Sequence, residues 1–187
     1  MPATAPMPVL PEVTISLSEL VPPRCRHYFS GRADRAHYRN RRYDFGSSRQ
    51  YMPLVRAFLD TCAAERDRDY RYLFTLLGSE LASNALRHSR SGEPFGVYTL
   101  NCQRHRDGLR LTCRDQGKRE GAGPYSAWGE HLAPNPDGLD LHTESGRGLA
   151  IVDALATTWG DNGFAGNRQV WFFLAYDLSD SLWNIHP

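Results

Sequence analysis

The chain has 187 residues, 41% of them hydrophobic, which is enough for one domain with a sizeable core plus tails. Its formal net charge of +1 gives no overall electrostatic reason to bind nucleic acid or an anionic membrane surface. No window approaches about 18 consecutive apolar residues, and the N-terminus lacks the basic and apolar regions of a signal peptide. We therefore expect neither direct nucleic-acid binding nor a membrane protein.

The cysteines form no CxxC pair and have no histidine at zinc-ligand spacing, which argues against a structural metal site. Reduced thiols in a cytoplasmic protein are the simpler interpretation. The cysteines are Cys25, Cys62, Cys102 and Cys113.

The N-terminal segments differ in composition from the rest of the chain. Residues 1–23 are rich in Pro, Ala, Thr and Ser, so we predict a mobile tail. Residues 24–49 interleave eight arginines with aromatic side chains. This pattern suits a surface for nucleic acid or for an acidic partner, but a solvated first strand and its approach are the favoured interpretation. We place a basic extension at 24–40, the folded domain at 41–178 and a C-terminal tail at 179–187.

Two amphipathic helices should follow, at about 52–64 and 69–89, because apolar residues recur there at helical spacing. On the second helix Glu80, Asn84 and His88 continue a stripe of leucines that faces the core. Such inward polar groups need partners, either arginine and backbone groups or a ligand. A carboxylate can deprotonate a nucleophile, and an amide oxygen can bind Mg²⁺.

Alternating apolar residues predict a β-hairpin with a turn at Asp107-Gly108. That turn would place Cys102 opposite Cys113, where a disulfide could form, although buried thiols are favoured. The second strand runs into Asp115 and then Gly117. A carboxylate there can accept a hydrogen bond from the exocyclic amine of adenine, beside a glycine that admits the purine. Alternatively, Asp115 caps its own turn and Gly117 supplies a positive φ.

Residues 116–145 are interrupted by glycine and proline and form a long connection, which is typical of a functional lid or a disordered loop. The next helix begins at Gly146-Arg147-Gly148-Leu149, where free backbone amides could hold phosphate. Alternatively, the glycines only end the loop and Ser145 caps the helix. A final buried or alternating strand is predicted at 170–176.

The order of these features is more specific than any one of them: E-x3-N-x3-H helix, hairpin, D-x-G, lid, G-x-G-L helix and last strand. It resembles the GHKL ATPase and kinase superfamily over roughly residues 41–177. The segments ELASNALRHS, CRDQG and ESGRGLAIVDAL are most similar to its bacterial anti-sigma-factor serine/threonine kinase branch. The resemblance implies an α+β fold of the Bergerat type. This is a two-layer α/β sandwich with a mixed or antiparallel sheet, helices on one face and a long ATP lid.

The resemblance also implies ATP and Mg²⁺ as cofactors and a role for each site residue. Glu80 would be the general base for an acceptor hydroxyl, Asn84 would bind Mg²⁺, and Asp115 would recognise adenine above Gly117. His88 is a further nucleotide-binding candidate. The triphosphate would be lined by Gly146, Arg147, Gly148 and Leu149.

Three positions depart from the family pattern. Arg119 stands where a second glycine often follows the adenine-binding aspartate, and Glu144 stands where well-studied kinases carry an arginine. Residues 166–169 replace a glycine followed by a basic residue and threonine. ATP binding is therefore predicted more firmly than phosphoryl transfer.

Two functions remain open at this point. The first is a kinase that phosphorylates a serine of an anti-anti-sigma-like partner and so controls a sigma factor. The second is a nucleotide-gated binding module without phosphoryl transfer. By analogy, a homodimer is also expected.

Overall fold

The computed structural model describes residues 20–33, 38–119, 131–140, 146–178 and 181–185. Most of the predicted N-terminal tail and the middle of the predicted lid lie outside these residues. So do the lid residues Glu144 and Ser145. Among the described residues, no helix is both long and apolar enough to cross a membrane.

The domain is built on a five-stranded antiparallel sheet with the strand order β1-β2-β3-β5-β4. The predicted hairpin and last strand are present, whereas the fourth strand was not predicted because it is short and lacks apolar alternation. The strands are β1 (Asn40–Gly46), β2 (Val97–Arg104), β3 (Gly108–Arg114), β4 (Thr158–Asp161) and β5 (Gln169–Ala175).

Three α-helices pack on one face of this sheet: α1 (Met52–Cys62), α2 (Arg68–His88) and α3 (Arg147–Leu155). Short 3-10 helices lie at Pro23–Phe29, Arg49–Tyr51, Arg90–Gly92 and Leu182–Ile185. The carboxylate of Asp67 caps α2 by accepting a hydrogen bond from the amide of Tyr70 at 2.9 Å. The predicted α+β, two-layer architecture is confirmed.

The core lies between the helices and the inward face of the sheet. Residues at helical spacing on α1 and α2 meet alternate residues of the central strands, as the sequence pattern predicts. Fully buried members include Val55, Phe58, Leu59, Leu73, Phe74, Leu77, Leu100, Leu111 and Phe172.

The hairpin turn differs from the prediction by one position. Arg104 pairs with Leu109, and the amide of His105 donates to the carbonyl of Gly108 at 2.9 Å, so residues 106 and 107 form the turn. Gly108 belongs to β3 instead, where it pairs with Ala175 of β5 and where a Cβ would lie 2.4 Å from the ring of Phe173.

This register separates the two hairpin cysteines. Cys102 faces Leu111, and Cys113 faces Leu100, so the predicted opposition of the cysteines is wrong. Cys62, Cys102 and Cys113 are buried free thiols, the state that the sequence favoured.

In the arginine-rich approach to β1, the described arginines other than Arg41 are exposed, as the favoured interpretation predicts, whereas Arg41 packs against the domain. Arg41 is 1% exposed, and its guanidinium lies over the rings of Tyr28 and Tyr38, at 4.9 and 4.1 Å from their centroids. Val21 and Phe29 are buried in the same core as α1. The sequence does not show this arrangement, because it requires aromatic residues from separate segments to enclose one cation.

Candidate nucleotide-binding site

A cavity of about 350 Å³ lies between the C-terminal half of α2, the end of β3 and the start of α3. This volume suits a small-molecule ligand. Three basic side chains, Arg87, Lys118 and Arg168, add positive charge to its wall. Seven of the nine predicted site residues line it: Asn84, His88, Asp115, Gly117, Gly146, Gly148 and Leu149.

Glu80 and Asn84 lie one turn apart on α2, directly beneath the start of α3. A Cβ on Gly148 would lie 2.6 Å from Oε2 of Glu80 and 3.3 Å from the amide atoms of Asn84. Neither side chain forms a hydrogen bond or an ion pair with any residue that the structure describes. Half-buried polar groups are normally paired. Asn84 also lines the cavity and is therefore available to a ligand there. The alternative, in which protein groups satisfy both side chains, is not observed among the described residues.

Asp115 follows β3 directly, caps its own turn as one of the two interpretations predicts, and also lines the cavity. One carboxylate oxygen accepts a hydrogen bond from the amide of Gly117 at 2.6 Å, while the side chain also lines the cavity. Burial raises the pKa of the carboxyl, opposed by the Gly117 amide and by the positive charge of Arg168. A carboxylate has two oxygens, so capping the turn leaves an acceptor for a ligand.

Both the backbone conformation and the neighbouring atoms require glycine at position 117. Its φ is +79°, and a Cβ would lie 2.4 and 2.5 Å from the carbonyl oxygens of Gly166 and Ala165. The amide of Lys118 donates to that same Ala165 carbonyl at 3.0 Å. The segment after Asp115 therefore lies flat against the loop before β5, and only glycine fits there.

Arg119, which replaces the second glycine of the family pattern, is directed at the end of α2. Its guanidinium donates to the carbonyl oxygens of Leu86 and Ser89, each at 3.1 Å. The last carbonyls of a helix lack partners within the helix and favour a cation. Arg119 is thus a C-terminal cap, a role that its position in the sequence does not reveal.

The start of α3 places glycines at the cavity without a side-chain cap. Gly146 is the N-cap residue with φ +80°, and Gly148 and Leu149 line the cavity. The amides of a first helical turn have no partner within the helix and can bind an anion. Arg147 is exposed and is not among the lining residues, unlike its glycine neighbours. His88 does line the cavity, and burial lowers its pKa, with contributions from Arg87 and Arg119.

Asp161, at the end of β4, contacts both the described lid residues after position 130 and the wall of the cavity. Its side chain is 2% exposed and accepts a hydrogen bond from the amide of Leu132 at 2.8 Å. It also pairs with Nδ1 of His131 at 3.4 Å and with the guanidinium of Arg168 at 3.6 Å. Leu132 and Arg168 both line the cavity. Sequence reasoning missed Asp161, because only the tertiary structure brings the lid, β4 and β5 together.

We expect Asp161→Asn to destabilise the protein by about 2–3 kcal/mol, since it removes a charge that several donors share in a buried position. The melting temperature should fall by roughly 4–12 °C, and ATP should bind more weakly because Arg168 loses its carboxylate partner. Thermal unfolding with and without Mg-ATP measures both effects. Asp153→Asn is the matched control, because Asp153 accepts a bond from Trp159 at an exposed position. Equal melting temperatures for the two variants would contradict the proposed role.

Of the altered segment 166–169, Arg168 lines the cavity. Asn167 lies elsewhere, since its amide oxygen accepts a hydrogen bond from Nε of Arg114 at 2.8 Å. Gln169 is the exposed first residue of β5.

Comparison with known families agrees with this geometry. The chain matches the model of the histidine kinase-like ATPase domain over residues 46–163, which is more than half of its length and includes every predicted site residue. No curated protein sequence matches the chain. The family match, together with the two-layer α+β fold, leads to one conclusion. The chain belongs to the histidine kinase-like ATPase domain family of the GHKL superfamily and is an ATP-binding module.

Proposed function

We propose that this protein is an ATP-binding regulator that transfers the γ-phosphoryl group of ATP to a serine of a regulatory partner protein. The partner class that its motifs suggest is an anti-anti-sigma-like protein, with a sigma factor controlled in turn. The observation that carries the proposal is a pair of polar side chains, Glu80 and Asn84, which have no partner among the described residues and lie together under Gly148 beside the cavity.

Each group in the site has a chemical task in such a transfer. Asp115 would accept a hydrogen bond from the adenine amine, and the α3 amides with Lys118 and Arg168 would offset phosphate charge. The serine oxygen would bond to the γ-phosphorus as the β–γ bridging bond breaks and ADP leaves, and Glu80 would take the hydroxyl proton.

The residues present also fit a magnesium ion. Asn84 offers a neutral oxygen that no described protein group uses, which is the kind of ligand that Mg²⁺ accepts beside phosphates. When bound, Mg²⁺ would neutralise charge on the phosphates. Asn84→Ala should therefore remove most of the difference between ATP affinity measured in Mg²⁺ and in EDTA.

The arrangement of Glu80 also favours a second candidate, a nucleotide-gated binding module without transfer. Glu80 is not among the cavity-lining residues, because Gly148 lies over its carboxylate. If α3 keeps this position with ATP bound, the carboxylate does not reach an acceptor hydroxyl. The nucleotide would then act only by changing the surface that a partner contacts.

The test uses the purified full chain, radiolabelled Mg-ATP and purified anti-anti-sigma-type proteins as acceptors. We expect Glu80→Gln to keep ATP affinity within about threefold while transfer falls at least about 100-fold, as expected for loss of a general base. Glu65→Gln is the control, because Glu65 pairs with Arg104 away from the cavity. Retained transfer in Glu80→Gln would remove Glu80 as the base. ATP binding without transfer by the wild-type protein would favour the binding module.

A further inference from the structure

Phe95 is the most exposed large apolar residue among those described, and its backbone is strained. Its side chain is 99% exposed and its φ is +64°. It lies in the turn Glu93-Pro94-Phe95-Gly96, closed by a hydrogen bond of 2.8 Å from the Gly96 amide to the Glu93 carbonyl. Glycine or asparagine normally occupies a third turn position with positive φ. The fold would be more stable without this phenylalanine, which indicates a functional reason for it.

Phe95 borders an open cavity of about 610 Å³ on the sheet face opposite the helices. Val97, which is 46% exposed, lies on the same rim. Thr99 pairs with Arg114 across β2 and β3, so Arg114 is a diagonal neighbour of Val97 on this outward face. Two apolar side chains and a guanidinium thus share one concave surface.

The arginines at this cavity carry charge that is not neutralised locally. Nε of Arg114 donates to Asn167, and its terminal amino groups have no partner among the described residues. Arg90 donates to the neutral carbonyl of Gln116 at 3.0 and 2.7 Å. A guanidinium with free terminal amino groups fits a carboxylate.

The carboxylates that line the same cavity are mostly engaged. Asp44 accepts from Thr99 and pairs with Arg42 at 3.5 Å. Asp115 belongs to the nucleotide cavity, where Arg168 lowers its pKa against the effect of burial. Glu93 is the remaining acid, and no described carboxylate occupies the terminal amino groups of Arg114, so this guanidinium favours an anionic occupant.

We propose that Phe95, Val97, Arg90 and Arg114 form a docking surface for a segment of a partner protein that carries an apolar side chain next to a carboxylate. Phe95 and Val97 would cover the apolar side chain, and Arg114 would bind the carboxylate. Exposed aromatic residues beside arginine are the residue types that dominate binding at protein interfaces.

This docking surface is connected to the nucleotide cavity by hydrogen bonds. The amide of Arg90 donates to the carbonyl of Gly117 at 2.9 Å. The amide of Gln116 donates to Oγ of Ser91 at 3.0 Å, and its side-chain oxygen accepts from the amide of Val97 at 3.2 Å. The partner and ATP should therefore change each other's affinity by the same factor. Either a kinase or a non-catalytic binding module would use this docking surface to bind its partner, so the inference goes beyond the proposed function.

The test measures fluorescence anisotropy of a labelled peptide, Asp-Leu-Asp-Leu-Asp, with the full chain and no nucleotide. Two control peptides replace the leucines by serine or the aspartates by lysine. We expect only the first peptide to bind, and Phe95→Gly and Arg114→Gln each to weaken it at least about tenfold. Tyr72→Ala should bind as wild type does, since Tyr72 is an exposed aromatic residue on α2.

Phe95→Gly also separates lost binding from lost folding. Glycine adopts a positive φ without strain, so its melting temperature should rise by roughly 2–4 °C while peptide binding is lost. The proposal is overturned if wild type does not bind the peptide at millimolar concentration, or if Phe95→Gly binds it equally. It is also overturned if the lysine peptide binds as well as the acidic one. Sedimentation showing a wild-type dimer that Phe95→Gly converts to monomer would instead assign the surface to a second copy. Since no nucleotide is present, failure of phosphoryl transfer leaves these outcomes unchanged.

Discussion

Replacing Asp115 by asparagine should raise the dissociation constant for ATP by about 10- to 100-fold without lowering the stability of the ligand-free protein. A hydrogen bond to an ionised partner contributes about 1.5–3 kcal/mol, and the substitution removes the charge at the position where the adenine amine would bind. The asparagine oxygen can still accept the bond from the Gly117 amide that closes the turn. Titration calorimetry with Mg-ATP and thermal unfolding of the same samples measure the two quantities.

The difference in stability between wild type and Asp115→Asn should change with pH in a known direction. Because burial raises the pKa of Asp115 above its ordinary value of 3.8, the folded state holds the proton more tightly than the unfolded state. Wild type therefore loses stability relative to Asp115→Asn as pH rises from about 4 through the folded-state pKa, and the difference is constant above it.

The control for this prediction is Asp107→Asn, which changes an exposed aspartate in the hairpin turn. It should leave both ATP affinity and stability as in wild type. Unchanged ATP affinity in Asp115→Asn would contradict the assignment of the adenine subsite. A stability difference between wild type and Asp115→Asn that does not change between about pH 4 and neutral pH would contradict the pKa argument alone.

Gly117→Ala should lose about 2–4 kcal/mol of stability and bind ATP poorly. Alanine disfavours the left-handed backbone conformation that position 117 adopts. Its methyl group would also lie only 2.4–2.5 Å from two carbonyl oxygens. The loop before β5 would then have to move away from the end of β3, which widens the space between Asp115 and Arg168. A fall in melting temperature of roughly 5–15 °C is expected.

Gly166→Ala is a close control, because Gly166 provides one of those carbonyl oxygens yet has room for its own Cβ. Its nearest neighbours, ring atoms of Phe164, would lie at 3.4 and 3.5 Å, which is ordinary contact. Its stability should change by about 0.5 kcal/mol or less. If both alanine variants melt alike, the close approach at Gly117 is not what requires glycine there.

The structure explains two departures from the family pattern, those at Arg119 and at Arg168. Arg119 is not an obstacle to adenine, since its guanidinium caps α2 and fastens the start of the lid to that helix. Arg168 supplies a cation at the cavity, held by Asp161. Glu144 lies outside the described residues, and its effect on phosphoryl transfer is tested by the kinase assay.

Local sequence patterns were sufficient to predict those features that depend on a single helix or strand. The spacing of Glu80 and Asn84 places both on one face of a helix, whatever that helix packs against. Asp115 follows a strand whose alternation is evident, and the glycines at 146 and 148 precede an apolar helical pattern. Helix and strand periods are properties of the backbone, so these features could be predicted from the sequence, including the acid and amide on which the proposed function depends.

The remaining features depend on which distant segments meet. The hairpin turn lies one residue earlier than predicted, and Gly108 belongs to β3, where it packs against Phe173, 65 positions later. Arg41 is buried because Tyr28 and Tyr38 enclose its guanidinium. Asp161 contacts Leu132 of the lid and Arg168 because β4 lies beside β5. The sequence by itself thus determined the α-helices, the strands other than β4, the family and the polar stripe of α2. Only the tertiary structure decided the register, the caps and the docking surface at Phe95, because these depend on distances between segments that no local pattern encodes.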